Sequence, residues 1–156
     1  MQNLSSILIL LFFSITTTTC RNNFPSETEE PIGKTINGQK QGEWKTYYKS
    51  GVLCRIEHYL NDTLNGPDIT FHENGNIYTK CEYRKGELID SFIHYFSNGN
   101  VNFRQWRDSL GKLQGIARVY FPNGQLRQIG YYKDGKMDST WVEYDENGKM
   151  IKKEHY

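Results

Sequence analysis

A turn glycine recurs five times in this chain at an almost constant interval. The turns are Ser50-Gly51, Asn74-Gly75, Asn98-Gly99, Asn123-Gly124 and Asn147-Gly148, with successive glycines 24, 24, 25 and 24 residues apart. Four positions before each glycine stands an aromatic residue: Tyr47, Phe71, Tyr95, Tyr120 and Tyr144. Two positions after it comes a large apolar one: Leu53, Ile77, Val101, Leu126 and Met150. A fixed period in this range marks a repeat architecture, in which each unit buries its apolar surface against its neighbours. A second turn alternates with the first, at Asn37-Gly38, Asn61-Asp62, Lys85-Gly86, Gly111 and Asp134-Gly135. Four positions after these come Gly42, Gly66, Asp90, Gly115 and Ser139. The single extra residue falls between Arg107 and Gly115, which predicts a longer loop there.

The segments between turns, such as Glu43 to Lys49 and Val52 to Leu60, are short and rich in Trp, Tyr, Ile and Leu. Bounded by Gly, Asn and Asp, they read as strands, and Asn-Gly between them reads as a hairpin turn with φ > 0 at both residues. The expected fold is all-β: an elongated antiparallel meander of about ten strands, built from five β-hairpin repeats. At about 4.8 Å per strand such a sheet runs on the order of 50 Å.

A two-residue turn sets the register and with it the faces. Pairing across Ser50-Gly51 predicts Tyr48 opposite Leu53, Tyr47 opposite Cys54 and Trp44 opposite Glu57. The ladder Tyr47, Phe71, Tyr95, Tyr120, Tyr144 then shares a face with Ile56, Ile69, Tyr78 and Ile93. Trp44, Trp141 and the Leu53 to Met150 series take the other. Neither face is cleanly polar, so the sheet either curls into a groove or leaves aromatic surface for an interaction. Stacking of the ladder on itself is the purely structural alternative.

Residues 1–19 carry the apolar run Ile7 to Ile15, too short to span a bilayer and suited to a secretory signal. Four threonines and then Cys20 follow. This resembles a bacterial lipoprotein signal, which implies cleavage before Cys20 and lipid attachment to it. Each buried methylene of such an anchor contributes about 0.8 kcal/mol, which makes attachment stable when more than one acyl chain is present. Residues 20–36 are expected to form a polar tether, and 37–156 the repeats.

The units resemble the MORN-repeat family in its bacterial variant, with the pattern Gly-x-Trp-x-x-Tyr-x-x-Asn-Gly-x-Leu. Gly42-Glu43-Trp44 through Tyr47 and Ser50-Gly51 to Leu53 matches closely, and Ser139-Thr140-Trp141 through Asn147-Gly148 to Met150 is next. Asp68, Phe92 and Ala117 occupy the Trp position of the other three units. The resemblance implies a scaffold or binding platform, and some bacterial relatives are YwqK-like antitoxin or immunity proteins.

Little in the chain points to catalysis. His58, His72, His94 and His155 have no metal-ligand spacing, and no nucleophile or phosphate-loop motif occurs. No metal and no cofactor is expected. A formal net charge of +1, from 19 basic and 18 acidic residues, gives no case for nucleic acid. Cys54 and Cys81 are expected to be free thiols, separated by one intervening strand. The reading is a non-enzymatic, lipid-anchored protein of the bacterial envelope that binds a protein partner and meets the membrane only through its lipid. Candidate contacts are Trp44, Tyr47, Phe71, Tyr95, Tyr120, Trp141 and Tyr144, because Trp and Tyr dominate interface hot spots. An antitoxin neutralising a secreted toxin, or a glycan-binding surface using exposed rings, are the alternatives.

Overall fold

The computed structural model describes residues 28–156. The expected signal, Cys20 and most of the tether lie outside the described residues. The rest forms one twelve-stranded antiparallel sheet. Its strands are β1 (Ile32–Ile36), β2 (Gln39–Tyr47), β3 (Leu53–Leu60), β4 (Thr63–Leu64), β5 (Gly66–Phe71) and β6 (Ile77–Arg84). They continue as β7 (Glu87–Tyr95), β8 (Val101–Arg107), β9 (Gly115–Tyr120), β10 (Leu126–Lys133), β11 (Lys136–Tyr144) and β12 (Met150–His155). Spatial order follows chain order, with only the short β4 set aside against β3. The five expected hairpins are all present. The two additional strands are β4 and β1, and β1 lies inside the segment expected to be tether. There Ile32 pairs with Lys45 and Ile36 with Gln39, and a further bridge joins Thr28 to Tyr48.

The turns differ from expectation in a way that resets the register. At the repeat turns only the glycine has positive φ, from 79° to 88°, and the preceding Asn does not. Gly75 N–H donates to His72 O at 2.9 Å and His72 N–H to Asn76 O at 2.8 Å. This is a three-residue loop, a type I turn closed by a left-handed glycine. The two-residue turns with positive φ at both positions are the alternating set: Asn37-Gly38, Asn61-Asp62, Lys85-Gly86 and Asp134-Gly135. The exception among these is Asp108 to Gly111, where Gly111 N–H donates to Asp108 O at 3.0 Å. A three-residue loop replaces a two-residue one there, which accounts for the one long period.

Each hairpin also carries a bulge just past its turn. Tyr47 pairs with Leu53 and Thr46 with Arg55, leaving Cys54 without an opposite residue. The same skip occurs at Tyr78, Asn102, Arg127 and Ile151. Trp44 does face Glu57 as expected, but Tyr47 opposes Leu53 rather than Cys54. An unpaired residue shifts the alternation by one. Hence Leu53, Ile77, Val101, Leu126 and Met150 join the ladder's face instead of opposing it, and Tyr78 moves to the other.

That other, inner face carries the core. Tyr59, Leu64, Cys81 and Tyr83 form its centre, with Trp44, Leu88 and Phe92 packed against them. Cys54, Asp68 and Thr70 are almost fully shielded. The described residues hold no helix and no second sheet, so this burial is reached within a single layer.

Candidate functional site

The inner face is built for packing. Trp44 lies flat on Gly33, where a Cβ would stand 2.3 Å from its ring, and its indole N–H donates to Lys34 O at 3.2 Å. Trp141 repeats the arrangement on Gly130, where a Cβ would meet its ring at 2.0 Å, and donates to Tyr131 O at 3.3 Å. Only glycine permits so close an approach. Trp141 is just 6 % exposed. Both tryptophans are therefore core elements, on the face opposite the ladder. The structure does not bring them together with Tyr47, Phe71, Tyr95, Tyr120 and Tyr144.

Where the second unit lacks Trp, a buried ionic group fills the space. Asp68 accepts hydrogen bonds from Arg55 through Nε at 3.0 Å and through Nη2, and Arg55 also lies 3.2 Å from Glu57. Tyr59 O–H donates to Glu57 at 2.9 Å. Removing one member of such a buried set strands the others, at a cost of about 3–5 kcal/mol. Beside it opens a cavity of about 340 Å³, lined by residues 28–31 with Lys40, Thr46, Arg55, Glu57 and Tyr59. Lys40 Nζ sits 4.3 Å from the centre of the Trp44 ring. Lys40, Arg55 and Glu57, which face this cavity, are thus engaged within the fold.

Further along, Tyr78 stands edge-on to both His72 and His94, and His94 stacks on Phe103 at 5.3 Å. Burial, with His72 adding its charge, pulls the His94 pKa down to about 4, so the ring is neutral at physiological pH. Cys54 and Cys81 are free and buried. Burial pushes the Cys54 thiol up, away from the reactive thiolate. Among the described residues no group of three or more His, Cys, Asp or Glu is placed to hold a metal ion.

The outer face is where the repeated positions meet. Register pairs Tyr47 with Leu53, Phe71 with Ile77, Tyr95 with Val101, Tyr120 with Leu126 and Tyr144 with Met150. The two most regular positions of the repeat are thus one cross-strand pair, displayed five times. Aromatic–aliphatic pairs of this kind contribute roughly 0.2–1 kcal/mol each to the sheet. Ring contacts among the described residues run along the inner face, from Trp44–Tyr59 to Tyr132–Trp141, and none joins two members of the ladder. The ladder members are half-buried, and Met150 at its end is 54 % exposed. What this face offers is a regular apolar and aromatic surface suited to binding.

An all-β repeat sheet with a packed inner face and a displayed outer one defines a binding scaffold. The MORN repeat variant matches residues 40–61, 64–85, 113–134 and 137–156, and the chain belongs to that family. Each matched unit contains one hairpin, and the unmatched β7–β8 hairpin has the same turn and bulge. Repeats of this family are non-catalytic binding modules. A comparison with curated proteins finds no match.

Proposed function

We propose that the chain is a non-enzymatic envelope protein, anchored through a lipid on Cys20, whose outer sheet face binds a protein partner. The observation that carries this reading is the fivefold aromatic–aliphatic pair, half-exposed and uncovered by any second layer among the described residues. Tyr at such positions supplies large, rigid contact area and a polar tip, the composition favoured at interface centres. Loss of labelling by a palmitate analogue in Cys20→Ala tests the anchor. The face is tested by placing a photo-crosslinking phenylalanine analogue at Tyr120 or, as a control, at the exposed turn residue Glu146. The expected result is a protein adduct from Tyr120 and none from Glu146 in native envelopes. Equal adducts from both positions, or none from either, overturn the reading. Recovery of a secreted toxin as the adduct would narrow it to the immunity role.

A further inference from the structure

On the outer face, one row of paired residues crosses the whole sheet, from Ile32 opposite Lys45 at one edge to Val142 opposite Lys153 at the other. The positions of this row are either aliphatic or basic. The basic members are Lys45, Lys80, Arg104, Arg118 and Lys153, and no acidic residue occurs in it. At its centre Arg104 and Arg118 are direct cross-strand partners. Like charges directly opposite one another destabilise a sheet. The next residues outward along the row, Ile93 and Ile129, supply no counter-charge. Neither arginine has an ion pair among the described residues. Arg104 Nε is buried without a hydrogen-bond partner, and its guanidinium rests 4.9 Å from the centre of the Trp106 ring.

We propose that the Arg104–Arg118 pair is the anchor of a docking surface for an acidic segment of a partner protein. Carboxylates of that segment would sit on the two guanidinium forks, and its apolar side chains against Ile93 and Ile129. The inference rests on the protein-binding reading above and specifies the chemistry of the partner. A lipid surface fits less well, because the basic charge is not spread evenly. Lys45 is held by Glu43 at 2.8 Å, and Glu82 stands two residues from Lys80 on the same strand. The uncompensated charge is local, and a short acidic segment matches it.

The test uses purified protein and a fluorescein-labelled synthetic peptide of alternating Glu and Leu, read by anisotropy. Beside it run the same peptide with every Glu replaced by Gln, and vesicles of phosphatidylcholine with phosphatidylglycerol. The acidic peptide is expected to bind and the Gln peptide not to. Arg104→Gln with Arg118→Gln should weaken binding at least about tenfold. The melting temperature of that double variant should hold or rise, because the change removes a like-charge contact. Equal binding by the double variant, or failure of the acidic peptide to bind, overturns the proposal. So does a fall in melting temperature, which would make the pair structural, and so does arginine-dependent binding to the vesicles alone. A partner crosslinked at Tyr120 alongside a silent acidic peptide would leave the binding platform standing and remove only this inference.

Discussion

The tryptophan position is the most informative single site in each unit, because what replaces Trp is matched by what lies beneath it. Gly33 is the register partner of Trp44, and continuing the neighbouring pairs sets Glu57 against Asp68, Cys81 against Phe92, Gln105 against Ala117 and Gly130 against Trp141, each eleven or twelve residues earlier in the chain. The bulkiest side chain lies on glycine, phenylalanine shares a cluster with cysteine, and alanine leaves room for glutamine. Asp68 and Glu57 share Arg55 instead. In the Gly–Trp, Cys–Phe and Gln–Ala pairs a larger side chain is set against a smaller one, in keeping with close packing. A direct consequence is that Gly130→Gln under an intact Trp141 overpacks the site, at a cost of about 1–3 kcal/mol. Trp141→Ala alone costs about 3 kcal/mol. Together they recreate the Gln105–Ala117 pair, so the double variant should lose less than the sum, with a coupling of about 0.5–3 kcal/mol in a urea-denaturation cycle. Strict additivity would show that the two positions do not compensate. This pairing is visible in the sequence as an offset of eleven residues from the Trp position, twelve across the long loop, but only once the strand preceding each unit is counted as part of it.

At the level of the hairpin, the sequence made the repeat, the strand order and the long third connection legible, and it misassigned the turn. Asn-Gly suits a two-residue turn, yet at the repeat turns Asn serves through its side chain. The Asn98 side-chain oxygen accepts Asn100 N–H at 3.0 Å, and its amide donates to Pro122 O of the next unit at 2.9 Å. Asn74 does the same toward Asn76 and Ser97 O. Asn74 and Asn98 thus fasten one repeat to the next, a role that dipeptide statistics do not reveal. The bulge was hidden for a different reason: Cys54, Tyr78, Asn102, Arg127 and Ile151 have no chemistry in common, because an unpaired strand residue is selected by what surrounds it. One missed residue per hairpin was enough to put Leu53 and its equivalents on the wrong face. Asn123 bonds its own turn at Gln125 N–H, and no bond from its amide to the next unit occurs among the described residues. Asn98→Ala should therefore destabilise by about 1 kcal/mol more than Asn123→Ala in chemical denaturation. Equal losses would mean that the inter-repeat bond contributes nothing beyond the turn.

Over the whole molecule, burial is unevenly distributed along a sheet whose units touch mainly their neighbours. Among the described residues the buried apolar side chains run from Tyr48 to Ile89, and beyond them only Ala117 and Trp141 are comparably shielded. Both terminal strands are thin: every residue of β1 is exposed, and in β12 Met150 and Ile151 are more than half exposed. Lys152 and Glu154, paired at 2.7 Å, lie on the β12 edge with Lys153, the kind of charged rim that discourages edge-to-edge association. Stability in a linear array is a sum of unit and interface terms, so it should follow this gradient. In native-state hydrogen exchange, amides of β5 and β6 should exchange slowest, through global unfolding. Those of β12 should exchange through local fraying at a small fraction of that free energy, with β9 and β10 between. Uniform protection from β2 to β11 would instead show one cooperative unit. The gradient bears on function because Tyr144 and Met150 lie at the loosely held end of the ladder, whereas Tyr47 and Phe71 lie beside the tight core. A partner seated along the outer face would close that difference, raising protection in β11 and β12 while leaving β5 and β6 near their free values.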